Sequence, residues 1–209
     1  MHISRIAEEL IIWNSDAYSL INLSDKIVTG SSIMPQKKNS ELLEFLRGKS
    51  GSAYGNLLSM LTILKGLPLS YFKDLQDDKE IIFRSNDTLI DSLKVLEEVL
   101  KNFRPNKGQM LKLANSGYIT ATDLADYLVK NHSMSFRKAY EKTAAIVNLA
   151  EKKKKNLKEL TLDELKKIEP KLENNVLKVF DLENSINSKK SYGGTSFENI
   201  KKMIIKYKK

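Results

Sequence analysis

Cysteine is absent from the 209 residues, which excludes a disulfide framework and any thiolate metal site. Two histidines are too few to expect a histidine-based zinc centre. No apolar run approaches the roughly 20 residues that span a bilayer, so no membrane partner is expected. No signal-peptide pattern precedes the amphipathic start, which makes the cytoplasm the default location. Aromatics are 8% of the chain and few fall between the lysines. The net charge of +9 therefore points to a solvated basic surface and not to a nucleic-acid partner, whose bases would need aromatic platforms. Strand signals are negligible and no internal repeat is found.

What the chain does have is helical periodicity. Hydrophobic residues make up 41% and charged residues 29%, the balance of a soluble globular protein. Ile3, Ile6, Ala7, Leu10 and Trp13 recur at helical spacing from the first residues, with no room for a capping residue before them. That pattern is expected to continue a longer chain upstream. Residues 22–36 read as loop. A helix is expected over about 41–65, with Asn39 as its N-cap and Glu41 and Glu44 favouring its positive end. Leu42, Leu46, Ala53, Leu57, Leu61 and Leu64 give it an apolar face. Gly48, Ser52, Gly55 and Ser59 form a small-residue stripe, which predicts close approach of a neighbouring helix to offset the helix cost of glycine.

A third helix is expected over about 78–103, where Leu89, Leu93, Leu96, Leu100 and Phe103 alternate spacings of four and three, as near-parallel bundle packing requires. Arg104-Pro105-Asn106 then interrupts it. The expected fold class is all-α: a long-helix bundle segment over 1–104 and a small C-terminal helical domain over 105–209. In the latter, Thr120 with Asp123, Thr161 with Glu164 and Thr195 with Glu198 have capping-box spacing. Helices near 121–131, 135–155, 162–168 and 196–206 follow, and the lysines at 152–155 suit a helix C-terminus.

Residues 30–39, Gly-Ser-Ser-Ile-Met-Pro-Gln-Lys-Lys-Asn, are the most informative stretch. A polar loop with hydroxyls, lysines and an amide, set before a helix start, suits binding and reacting with an anion. The run resembles the signature loop of the fumarase/aspartase superfamily. Arg47-Gly48-Lys49, Tyr54-Gly55-Asn56-Leu57, Lys65-Gly66-Leu67-Pro68-Leu69 and the run YFKDLQDDKE at 71–80 narrow the resemblance to the argininosuccinate lyase family, as do ATDLADYLV at 121–129 and Gly193-Gly194-Thr195. The likeness covers essentially the whole chain but only the C-terminal part of the family's length.

The resemblance implies a carbon–nitrogen lyase acting without metal or organic cofactor on a small-molecule substrate, argininosuccinate, in arginine biosynthesis. It implies a homotetramer whose active sites draw on three subunits. Ser31 would be the general base, with the adjacent Ser32 as the alternative that the sequence does not separate. A serine hydroxyl is too weak an acid in water for this work, so nearby cations and N–H donors must stabilise its alkoxide. Lys37 would supply charge and, with Asn39, hold the succinyl carboxylates. Glu44 would partner the family's catalytic histidine, and Tyr71, Gln76 and Lys79 would hold the amino-acid end. Phe72 and Ser40 depart from the asparagine and proline common in the family. Lys38 has no assigned role beyond surface charge.

Plainer readings exist for each residue: a serine closing a turn, a solvated lysine, a capping asparagine, a dipole-favoured acid, a polar helix entrance. Neither His2 nor His132 falls in a motif of the family, so the catalytic histidine is expected from the N-terminal half, outside this chain. The isolated chain is expected to be inactive. Two other readings stay open: a non-catalytic structural or oligomerisation protein of the same fold, as in the related lens crystallins, and another fumarate-releasing lyase of the superfamily.

Overall fold

The computed structural model describes residues 1–30, 33–34 and 38–208. It is an all-α architecture with two short strand pairs, and the chain divides into two compact units, Met1–Met110 and Leu111–Lys209.

The first unit is built on α1 (His2–Asn14), α2 (Glu41–Leu64) and α3 (Asp78–Lys101). Ala7 and Leu10, one turn apart on α1, are buried against Leu43 and Leu46 of α2 and Val99 of α3. Leucine at the N-terminal end of α2 thus meets valine at the C-terminal end of α3, so the two long helices run antiparallel. Strand β1 (Ile21–Leu23) pairs antiparallel with β4 (Phe103–Pro105), Ile21 opposite Pro105 and Leu23 opposite Phe103. The interruption at Arg104-Pro105 is therefore a strand, and proline is tolerated because it lies at the end of a two-stranded pair. Asn106 extends the tie: its amide N–H donates to Leu20 O at 2.8 Å, and its Nδ2 to Ser19 O at 3.1 Å. Helix α4 (Lys107–Asn115), which apolar spacing did not signal, begins there.

Three expectations are corrected. Residues 22–36 are not all loop, since β2 (Thr29–Gly30) pairs with β3 (Lys38–Asn39). The N-cap of α2 is Ser40 and not Asn39, because strand pairing with Thr29 holds Asn39 outside the helix. The glycines of the small-residue stripe have no close neighbour among the described residues: a Cβ added at Gly48 or Gly55 would meet nothing within 4 Å. Leu57, Leu61 and Leu64 of α2, like Leu89, Leu93 and Leu100 of α3, are also exposed.

The second unit packs α5 (Ala121–His132) and α6 (Phe136–Lys153) around Leu124, Leu128, Ile146, Leu165, Leu172 and Val176. Both helices end on a left-handed residue, Ser133 at φ 51° and Lys154 at φ 53°. Helix α7 (Leu162–Lys166) opens with the expected box: Thr161 Oγ1 accepts from Glu164 N–H at 3.3 Å and Glu164 Oε2 from Thr161 N–H at 2.8 Å. The other two boxes do not form. Thr120 makes no side-chain cap; Asp123 instead accepts from Ser185 Oγ at 2.5 Å, on α8 (Leu182–Ser188), and pairs with Lys189. Ser196, not Thr195, caps α9 (Phe197–Tyr207), accepting from Asn199 N–H at 3.3 Å. The Gly193-Gly194 motif is a tight turn in which a Cβ on Gly194 would stand 2.3 Å from Lys189 O. Asn199 Nδ2 clamps that turn, donating to Ser191 O at 2.7 Å and Gly194 O at 3.2 Å.

Candidate active-site region

The signature stretch is flanked by the β2–β3 pair, which brings Gly30 opposite Lys38 and Thr29 opposite Asn39. Lys38 forms an ion pair with Asp25, which gives this lysine a structural partner that sequence reasoning had not found. The two candidate bases, Ser31 and Ser32, and the candidate cation Lys37 lie outside the described residues.

Asn14 joins three elements. Its Nδ2 donates to Ser40 Oγ at 3.2 Å, and its Oδ1 accepts from Leu23 N–H at 3.3 Å. The end of α1, strand β1 and the cap of α2 are thereby held at one point. Ser40 O accepts from the N–H groups of Leu43 and Glu44, both at 3.0 Å, starting the helix. These contacts frame a cleft of about 720 Å³ lined by Asn14, Asn22, Lys38, Asn39, Ser40 and Glu44. The wall mixes amides and the positive end of α2 with the carboxylates of Asp16 and Glu44, and its cation, Lys38, is already paired with Asp25. Asn39 is half-buried and Glu44 exposed on its wall. Arg47, one turn beyond Glu44, is bound at 2.6 Å by Glu8 of α1, and that hydrogen bond raises its already high pKa.

The second predicted group is elsewhere. Tyr71 and Gln76 are exposed on the connection between α2 and α3, Gln76 closing the short 3-10 turn Lys73–Gln76. Lys79 Nζ is turned back onto its own helix entrance, donating to Leu75 O at 3.0 Å and Asp78 Oδ1 at 3.3 Å. At 1.5 Å per residue, the helix between these positions and Glu44 is about 30 Å long. One copy of the chain therefore brings Asn39 and Glu44 together, and Tyr71, Gln76 and Lys79 together, but not the two groups. The histidines join neither: His132 packs on the ring of Tyr127 at 5.6 Å between centroids, and His2 lines a groove with Trp13 and Phe103. Among the described residues no cluster of three or more potential metal ligands occurs, and no helix is long and apolar enough to cross a membrane.

Asn14, Asn22 and Asp25 escaped sequence reasoning. For Asn14 a signal existed, since a polar amide closes the apolar period of α1. Asn22 and Asp25 sit in a segment without period, and only the cleft lining for Asn22 and the ion pair with Lys38 for Asp25 show where they lie.

Comparison with known proteins places this geometry. The family profile described as "Argininosuccinate lyase C-terminal" matches residues 118–187, and one described as "Lyase" matches residues 1–55. An argininosuccinate lyase of Pelagibacter ubique is 78% identical over 209 residues, all of this chain and 45% of that protein. One from Nitratiruptor is 52% identical over 204 residues, 98% of this chain and 44% of the relative. Among solved structures, EDDS lyase in complex with formate superposes with a TM-score of 0.85 at 27% identity, covering 98% of this chain and 42% of that one. The chain spans under half the length of the relatives it matches. With similarity extending from the first helix to the last and two matching profiles, the chain belongs to the argininosuccinate lyase family.

Proposed function

We propose that this chain forms part of an enzyme that cleaves argininosuccinate to arginine and fumarate in arginine biosynthesis. The observation that carries this reading is the 78% identity to an argininosuccinate lyase across all 209 residues. The 27% identity to EDDS lyase favours a shared elimination chemistry over a shared substrate.

The reaction removes a proton from the carbon beside a succinyl carboxylate, giving a dianionic aci-carboxylate. The electron pair then forms the fumarate double bond as the carbon–nitrogen bond breaks, and an acid protonates the departing nitrogen. The dianion is the costly species, and fixed donors and cations around it lower the barrier. In this reading Ser31 takes the proton, with Ser32 the alternative, and Lys37 steadies the charged serine. Asn39 holds a succinyl carboxylate, and Glu44 acts through a histidine contributed by the rest of the relatives' length. Tyr71, Gln76 and Lys79 hold the arginine end, Lys79 leaving Leu75 O and Asp78 to do so. The reaction takes no cofactor.

The helix length between the two residue groups supports an active site completed by neighbouring copies, and we take the assembly to be a cytoplasmic homotetramer. Residues 1–104 would be part of its central bundle and 105–209 a small C-terminal domain. The test is fumarate absorbance with argininosuccinate as substrate. The chain alone should show negligible turnover, and addition of the complementary N-terminal portion should restore it. Robust turnover by the chain alone would refute the shared-site reading; correct assembly without turnover would refute the activity.

A further inference from the structure

Helix α2 buries three side chains among the described residues: Leu43, Leu46 and Asn56. Its later leucines, Leu57, Leu58, Leu61 and Leu64, are exposed. An amide withdrawn from water among leucines left in it reverses the usual distribution. Asn56 achieves this by satisfying its hydrogen bonds on α3. Its Nδ2 donates to Ser85 Oγ at 2.9 Å, while its Oδ1 accepts from Arg84 Nε at 3.2 Å and Nη2 at 2.8 Å. The guanidinium has only donors, so it dictates which end of the amide faces it. Ser85 commits its own proton to Ile81 O at 2.7 Å, which leaves its oxygen to accept from Asn56. The bonds are therefore mutually consistent and admit one arrangement.

We infer that Asn56 is a positioning residue: by bonding Arg84 and Ser85 it sets the axial register of α2 against α3, and so places the segment proposed to hold the amino-acid end of the substrate. The inference rests on the lyase reading for its substrate and on geometry for its register. The buried contact of Leu43 and Leu46 with Val99 lies at the opposite end of the helix pair, and the leucines beyond Asn56 face outward and cannot select one alignment over another. A buried amide can, because sliding the helices leaves it unpaired in an apolar contact. The pin stands close to what it would place. Arg84 and Ser85 are within two turns of Lys79 on the same helix, and α2 runs only from Asn56 to Leu64 before the connection that bears Tyr71 and Gln76. Ser92, also buried, bonds Thr88 O of its own helix at 2.6 Å and so makes no second polar tie to α2.

The absence of cysteine makes the register directly measurable. Spin labels at Thr62→Cys and Asp91→Cys report the axial offset by electron–electron distance measurement in the 209-residue chain. Asn56 intact should give one narrow distance. Asn56→Leu should broaden it or move it by about 5 Å, one helical turn. Asn56→Asp, which still accepts from Arg84, should restore the narrow distance. Ser85→Ala, a gentler change, should broaden it less. In the enzyme assembled with the N-terminal portion, Asn56→Leu should raise KM for argininosuccinate about tenfold while kcat falls less than threefold, with rescue by Asn56→Asp. An unchanged narrow distance in both Asn56→Leu and Ser85→Ala overturns the pin. A shifted register with unchanged KM, or an equal fall in kcat and kcat/KM, overturns its link to substrate. Failure of the unmutated assembly to turn over argininosuccinate falls on the lyase reading, and the distances still decide the register.

Discussion

The hydroxyl that is to remove a carbon-bound proton must be made far more acidic than serine in water, and only its surroundings can do that. Two adjacent hydroxyls compete for the role, so the prediction is a comparison. In the reconstituted enzyme, Ser31→Ala should abolish kcat with modest change in KM, and Ser32→Ala should leave measurable turnover. The opposite pattern in a fumarate assay would exchange their roles. A second prediction concerns Glu164, which no sequence argument tied to lysine. Its carboxylate accepts from Lys153 Nζ at 2.5 Å and from the Thr161 N–H, with Lys155 Nζ at 3.2 Å. The bond from Lys153 is the largest cause, and together these hold its pKa at about 2 against an ordinary 4.5. The folded value is depressed, so the stabilisation is present above pH 4.5 and is lost as pH falls through about 2. Glu164→Gln should lower the melting temperature at neutral pH and flatten its fall over that window. Parallel acid-melting curves for the two proteins would contradict this.

Between residues and the molecule stand the elements, where helix period was readable and helix ends were not. The spans of α2 and α3 follow from leucine spacing and carboxylates in the first turn. The cap of α2 does not, because Asn39 is claimed by strand pairing and Ser40 is left to start the helix. Likewise Thr195 and Ser196 both have a capping side chain, and only the turn at Gly194 decides for Ser196. That turn makes its own prediction. Gly194→Ala forces a Cβ against Lys189 O and should destabilise the second unit by about 1–3 kcal/mol, read by denaturant titration; a neutral effect would mean the turn relaxes freely. The first turn of α3 carries a fourth prediction. Lys79→Ala in the assembled enzyme should weaken binding of the arginine end and raise KM more than it lowers kcat. A pure kcat effect would move Lys79 out of the binding role. As for the candidate site, the nearness of Asn39 and Glu44 to one cleft was legible because they follow a loop of distinctive composition. Asp25 was not, and Asn14 showed only as a polar end to the period of α1, since each acts through a contact between separate stretches of chain.

At the scale of the whole molecule, exposed Leu57, Leu61, Leu89 and Leu93 make long apolar faces that water disfavours. The sequence declared those faces apolar but could not say that α1–α3 leave them uncovered. Light scattering after size-exclusion chromatography should therefore find species larger than one chain, growing with concentration. A strict monomer at all concentrations would count against burial of these faces between copies. The surplus of positive charge acts in the other direction, keeping copies apart at low salt, so association should strengthen as salt screens it.

Strand β1 near the beginning of the first unit is hydrogen-bonded to β4 near its close, while the intervening α2–α3 connection exposes Leu69 almost completely, at 97%. A protease that nicks this hairpin tip would sever the backbone without parting the pieces. The two halves should travel together through a native gel and separate in urea, a built-in split protein whose fragments already recognise each other.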